Sequence, residues 1–178
     1  VQQPNTIIEG IYQLMPGHSM NVTPDRNYKI KRYYSYLRSS KQLTSIYSYN
    51  EAVTKIREEL EVATRYHMVS DVEVGAFLSG GIDSSLIVSL MQKQSINPIK
   101  TFTIGFDDGV FNYIGDESPF AKSVAKHLGT DHHELIVHSS DAQKVIPSLN
   151  EMYDEPFADS SQIPTHIVSK LAKEKVTV

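Results

Sequence analysis

Between Val72 and Met91 the chain reads Val-Glu-Val-Gly-Ala-Phe-Leu-Ser-Gly-Gly-Ile-Asp-Ser-Ser-Leu-Ile-Val-Ser-Leu-Met, and the middle of this stretch gathers residues that suit a bound anion. Ser79, Ser84 and Ser85 offer hydroxyl donors. Gly80 and Gly81 let backbone N–H groups approach a ligand with no Cβ in the way, and Asp83 can hold a divalent cation beside phosphate oxygens. Before the glycines, Val74, Ala76 and Leu78 are apolar at a spacing of two, with Phe77 on the other face; after them, Leu86, Ile87, Leu90 and Met91 recur at helical spacing. The expected order is strand, tight turn, helix. A helix N-terminus has unpaired N–H groups and partial positive charge, so this is a phosphate site by its chemistry. The plainer alternative is a glycine turn with Asp83 or Ser84 as an ordinary N-cap.

The pattern excludes several phosphate and acyl-transfer motifs. No lysine follows the glycines, as a Walker A loop requires, and Gly-x-Gly-x-x-Gly is absent. A nucleophile elbow fails because Phe77 stands where its first glycine belongs. Ser-Gly-Gly-x-Asp-Ser instead resembles the pyrophosphate loop of the N-type ATP pyrophosphatases, which cleave ATP between the α and β phosphates and adenylate a substrate.

The elements that must position this loop follow in order. The chain has 178 residues, 40% of them hydrophobic, enough for one proper core with an extension. A net charge of −4 without like-charge runs argues against a nucleic-acid partner. No cysteine is present, which excludes disulfides, thiolate metal sites and a cysteine nucleophile within these residues. No apolar stretch approaches the roughly 20 residues that span a bilayer, and no signal-peptide pattern opens the chain, so a cytoplasmic α/β domain is expected.

Residues 1–48 read as a β-rich connector. Ile7–Leu14 and Ser19–Val22 flank Pro16-Gly17 like the arms of a hairpin, and Tyr28–Tyr36 carries alternating aromatics that suit strand packing better than base stacking. The polar residues 37–49 are a boundary. Asn50 is the expected N-cap of an amphipathic helix with Val53, Ile56, Leu60, Ala63 and His67 on one face. After Pro98 come a strand over Lys100–Phe106, an acidic loop over Asp107–Asp116, and a helix from about Glu117 to Gly129 with Phe120, Ala121, Val124 and Leu128 on its face. A strand over His133–His138 and a helix opened by Asp141 and split at Pro147 follow. A last helix runs through Ile167, Val168 and Leu171, and Val176-Thr-Val178 begins a fourth strand. Alternating strands and helices imply a parallel sheet with helices on both faces, its ligand beyond the carboxyl ends of the strands.

These residues together resemble the synthetase half of glutamine-hydrolysing asparagine synthetases. The resemblance rests on Gly75–Ser85, Thr101–Phe106, His127–Glu134 and Asp154–Pro164, in order and at family spacing, with Gly10–His18 similar to the connector from the glutaminase half. It implies an adenine nucleotide alpha hydrolase-like fold over residues 49–178. It also implies that ATP and Mg²⁺ activate the aspartate side-chain carboxylate as an acyl-adenylate, which ammonia converts to asparagine. By the same resemblance Ser79, Gly80, Gly81, Ser84 and Ser85 hold phosphates, Asp83 ligates Mg²⁺, and Leu78 and Ile104 present backbone groups to adenine, with Gly105 letting the base lie close.

Other polar residues carry open alternatives. Asp116 and Glu117 can touch nucleotide or a second metal, or serve as helix caps. Asp154, Glu155, Asp159, Ser160 and Ser161 can face an aspartate pocket or form a turn with a serine cap. His127, His132, His133 and His138 lack the spacing of a zinc site. In the family the catalytic carboxylate lies beyond the position of Val178. The expectation is therefore a fragment that keeps weak Mg-ATP binding, makes no asparagine alone, and can associate as a homodimer through an open sheet edge. A related adenylating amidotransferase or lactam synthetase, or a non-catalytic module, is the alternative.

Overall fold

The structure, a computed structural model, describes residues 1–37, 47–106, 116–155 and 158–177. The boundary over 37–49 and the acidic loop over 107–116 fall largely outside the described residues, as do Pro156, Phe157 and Val178. Two compact units divide the chain: Val1–Ser48 with Asn150–Phe157, and Tyr49–Leu149 with Ala158–Val178.

In the first unit, β1 (His18–Val22) pairs antiparallel with β2 (Tyr28–Arg32), Met20 opposite Ile30 and Val22 opposite Tyr28. The hairpin turn is therefore not Pro16-Gly17, as the sequence suggests, but the loop after Val22. Thr23 N–H donates to Asn27 O at 2.9 Å, Arg26 N–H to Thr23 O at 2.9 Å, and Arg26 takes a left-handed φ of 63°. That is the geometry of a three-residue hairpin loop, with Asn27 donating to Asp25. The arm 7–14 contributes one bridge, Asn5 with Tyr12. Gly17 is held against the chain after β2: its carbonyl accepts from Tyr33 N–H at 2.9 Å. The tyrosines do not pack as expected, since Tyr28, Tyr33, Tyr34 and Tyr36 are all exposed. Gln13 Nε2 donates to Glu155 Oε1 at 3.4 Å within this unit.

The second unit is a three-stranded parallel sheet of order β3 (Gly75–Phe77), β4 (Lys100–Phe106), β5 (Asp131–Val137), with helices on both faces. The register places Ala76 beside Thr101 and Phe77 beside Phe102, so Ala76 and Leu78 share a face with Thr101 and Thr103, and Phe77 shares the other with Phe102. On one face Leu78 packs with Val88, Ala121 and Ala125, which come from α2 (Ile82–Gln94) and α3 (Ser118–Leu128). On the other, Phe102 packs with Val168 and Ala172 of α6 (Gln162–Lys173) and with Val176. Val176 is buried as a fourth strand would require, but no strand is present there among the described residues.

The helices differ from the sequence reading in instructive ways. α1 (Tyr49–His67) already includes Asn50, so Asn50 is not its N-cap. Val53 and Ile56 remain exposed, and only the later turns, at Leu60, Ala63 and Thr64, come against Ile87 and Met91 of α2. Phe120 is 66% exposed although it shares the apolar stripe of α3; the small Ala121 and Ala125 take the core instead. α3 stops at Gly129 with φ 71°, whose N–H bonds Ala125 O. α4 (Ser139–Val145) starts before Asp141, which serves as the third residue of a capping box with His138. Pro147 then turns the chain through a 3₁₀ segment, Ile146–Ser148, into the short α5 (Leu149–Met152).

Candidate functional site

The site begins where β3 stops. Leu78, fully buried, makes one more rung by donating its N–H to Phe102 O at 2.9 Å. The chain then turns through Ser79-Gly80-Gly81 into α2. Gly80 takes a left-handed φ of 84°, and a Cβ there would lie 2.5 Å from Ala121 N and 2.8 Å from Phe120 Cβ. Two requirements thus fix glycine at one position: the turn and the close packing of the loop on the first turn of α3. Gly81 is extended, with φ −69°.

Gly81 is the N-cap of α2 and no side chain caps the helix. The ordinary-cap alternative for Asp83 or Ser84 therefore fails. The first intrahelical bond runs from Ser85 N–H to Gly81 O at 3.0 Å, so the preceding N–H groups of the first turn have no intrahelical acceptor. The hydroxyls beside them bond one another: Ser79 Oγ and Ser84 Oγ are 2.9 Å apart, and Gly81 N–H donates to Ser79 Oγ at 3.3 Å. Ser85 differs from its neighbours. Its Oγ exposes less than 1 Å² and has no hydrogen-bond partner among the described residues.

Beside the loop a cavity of about 390 Å³ opens at the carboxyl ends of β3 and β4. Phe77, Leu78, Ser79, Phe102 and Ile104 form its floor, and Pro164, Thr165 and Val168 of α6 form a wall. Phe77 pairs with Phe102, while β4 continues through Thr103 to Phe106. In a parallel ladder successive residues bond to opposite neighbours. Phe102 bonds towards β3 and Ile99 towards β5, through Asp131 N–H at 3.0 Å, so Ile104 directs its peptide N–H and C=O to the side that β3 has vacated. Gly105 faces elsewhere: a Cβ there would meet Ser118 Oγ at 2.8 Å and Ile136 Cδ1 at 2.9 Å, so its close neighbours are α3 and β5.

Asp83 is exposed in the first turn of α2. Among the described residues no three His, Cys, Asp or Glu side chains converge. A cation at Asp83 would thus draw most of its ligands from phosphate oxygens and water, the coordination that suits Mg²⁺.

The adjacent Asp116 and Glu117 are used differently. Asp116 accepts from Ser118 N–H at 3.0 Å and from Ser118 Oγ–H at 3.1 Å, which makes it a cap for α3. Glu117 lines the cavity. In the polar cluster over 154–161, Glu155 is engaged by Gln13 and the amino terminus within the first unit, and Asp159 accepts from Ser161 N–H at 2.8 Å at the start of α6. That bond holds the Asp159 carboxyl below its usual range. The histidines are structural in their contacts. His133 stacks on Phe102 with centroids 5.3 Å apart, and His132 Nδ1 lies 2.9 Å from Thr101 Oγ1. Burial pushes His132 below its ordinary value, with Glu134 opposing and His133 and Lys122 assisting. Sequence reasoning missed Thr165 and Val168 as cavity residues, because helical spacing places them on an apolar face without saying which end of the sheet that face covers.

A parallel sheet with helices on both faces, and a cleft with an uncapped helix at its carboxyl edge, defines a Rossmann-like α/β domain of the adenine nucleotide alpha hydrolase type. The family model described as asparagine synthase matches residues 55–178. Asparagine synthetase [glutamine-hydrolyzing] 1 of Bacillus subtilis is 33% identical over 178 residues, covering all of this chain and 27% of its own length. The Gallus gallus asparagine synthetase [glutamine-hydrolyzing] is 31% identical over 197 residues, covering 98% of this chain and 34% of its own. Amidase chry2 of Gibberella zeae is 34% identical over 141 residues, covering 72% of this chain and 21% of its own. This chain belongs to the asparagine synthase family. It spans about a third or less of the length of the curated relatives it matches.

Proposed function

We propose that this chain forms the ATP-binding part of an amide-forming ligase that activates the side-chain carboxylate of aspartate for attack by ammonia. The observation that carries the reading is the uncapped N-terminus of α2 beneath Ser79, Gly80 and Gly81, beside a cavity with ample room for a nucleobase. The base occupies the cavity, bonded by the peptide edge of Ile104 and by backbone at Leu78. Ser79, Ser84 and the first-turn N–H groups hold the β and γ phosphates. When the aspartate carboxylate oxygen bonds the α phosphorus and the α–β bridge breaks, these donors stabilise the charge left on pyrophosphate. Asp83 would hold Mg²⁺, which neutralises charge on the phosphate oxygens when bound. Ser85 Oγ, buried and without a hydrogen-bond partner among the described residues, is a further donor to the phosphates.

Family membership supports the rest of the reading. Residues 1–48 are the connector from a glutaminase domain that supplies ammonia. The carboxylate that completes catalysis lies outside these residues, so the chain alone makes no asparagine. The whole protein works in the cytoplasm on small molecules, without nucleic acid or membrane, and its open sheet edge permits a homodimer. The match to amidase chry2 favours a second reading, in which the same loop adenylates a different acid.

Calorimetry with Mg-ATP tests the site. The wild-type chain binds, and Asp83→Ala and Ser79→Ala each weaken binding about tenfold, the worth of one charge-assisted contact. A folded wild-type chain that takes up no Mg-ATP would sink the proposal. Equal binding by all three proteins would place the nucleotide away from the loop.

A further inference from the structure

Two neighbouring carboxylates stand at the start of α3, and only one of them is occupied. Asp116 is engaged with both the N–H and the hydroxyl of Ser118. Glu117 occupies the N-cap position but makes no side-chain cap bond, and its carboxylate has no hydrogen bond or ion pair among the described residues. It is exposed, yet it lines the cavity together with Thr103, Ile104 and Phe106. Among the described residues that line the cavity it is the one ionisable side chain.

Its place in the chain fixes its distance from the phosphate loop. The Glu117 carbonyl accepts from Phe120 N–H and Ala121 N–H, both at 3.0 Å. Ala121 N and Phe120 Cβ are the atoms against which Gly80 is packed. Glu117 therefore stands one helical turn from the loop on one side and against the base cavity on the other. In a nucleotide the group that joins base to phosphates is the ribose. An ionised carboxylate only accepts hydrogen bonds, and the ribose offers two hydroxyl donors at this point. The same pairing fixes the ribose in dinucleotide-binding folds.

We infer that Glu117 is a specificity-determining residue: it accepts a hydrogen bond from a ribose hydroxyl and makes the site select ribonucleotides over deoxyribonucleotides. The inference rests on the nucleotide reading above and adds to it which sugar the site takes and which residue reads it.

The test compares affinities for ATP, 2′-deoxy-ATP and 3′-deoxy-ATP, each with Mg²⁺, in the wild-type chain, Glu117→Ala and Glu117→Gln. The wild type prefers ATP over at least one deoxy analogue by about tenfold, as a charge-assisted bond to a hydroxyl predicts. In Glu117→Ala that ratio falls to within about twofold, and Glu117→Gln, which keeps an acceptor without the charge, lies between. Removing a negative charge near the phosphates changes all three affinities together, so the ratio isolates the sugar contact. Because Glu117 is exposed and caps nothing, both variants fold as the wild type does, which circular dichroism checks. A wild type that binds ATP without discriminating, or ratios unchanged in Glu117→Ala, overturns the inference and leaves the nucleotide site standing. If Glu117→Ala instead alters the preference for ATP over GTP, the carboxylate reads the base and the inference is likewise wrong. No binding of any nucleotide by the folded wild type removes the nucleotide reading itself.

Discussion

Gly80 and Gly81 are neighbours with opposite tolerances. At Gly80 a methyl group would meet Ala121 N at 2.5 Å on a backbone already in the left-handed region, so Gly80→Ala should cost about 1–3 kcal/mol from strain alone, more with the clash. At Gly81 the nearest atom is Ser79 Oγ at 3.3 Å and the backbone is extended, so Gly81→Ala should lose only the preference for glycine over alanine at an N-cap, about 0.5–1 kcal/mol. Urea denaturation midpoints of the two variants make the comparison; equal losses would mean that Gly80 is not held against α3. His132 gives a prediction in pH. Its folded-state value is depressed by burial, so below its ordinary 6.5 the unfolded chain takes up a proton that the folded chain resists. Stability is therefore lost as pH falls through that window and levels off below the folded value. Replacing His132 with Gln should flatten the decline between pH 7 and pH 5, measured by denaturation at each pH. The identity of these residues was legible in the sequence, because glycine pairs and hydroxyl clusters are local chemistry. The contact of Gly80 with α3 was not, because its partner lies some forty positions along the chain.

At the scale of elements, β4 and α3 were the most legible. A short apolar strand bounded by Pro98 and an acidic loop, and a helix ended by Gly129, are specified by local signals that tertiary packing has no reason to override. Gly129→Ala tests that stop: the site has open space but φ is 71°, so the loss should be about 1 kcal/mol, with Asn tolerated better. The first hairpin was misread because Pro16-Gly17 is the stronger turn signal on paper, while the observed loop places arginine, not glycine, in the left-handed position. α1 was misjudged in the other direction. Its stripe has the right period, but a period cannot say how far along the helix a partner extends, and Val53 and Ile56 remain uncovered. Phe102 packs at the centre of the second core cluster and stacks on His133, so Phe102→Ala should cost about 3–5 kcal/mol, against almost nothing for Ile96→Ala in the fully exposed turn after α2.

For the whole molecule, stability is unevenly spread. The β1–β2 hairpin presents both faces to solvent, whereas β4 is paired on both sides and covered above and below. Hydrogen exchange should release the amides of the hairpin well before those of β4, and comparable protection in the two would contradict the division into units of unequal packing. The parallel sheet and the position of the cleft at its carboxyl edge were legible because parallel α/β chains leave few arrangements open. The wall supplied by α6 was not, since it depends on where a distant helix lands. The last rung between β3 and β4 carries a lesson about mutational tolerance. Where β3 ends, Ile104 offers the cleft a peptide edge, and a peptide edge is common to every residue type except proline. Valine or leucine at this position leaves the edge in place, so a comprehensive variant scan would score Ile104 as a packing site. The only substitution that would reveal the edge is the one that deletes its hydrogen.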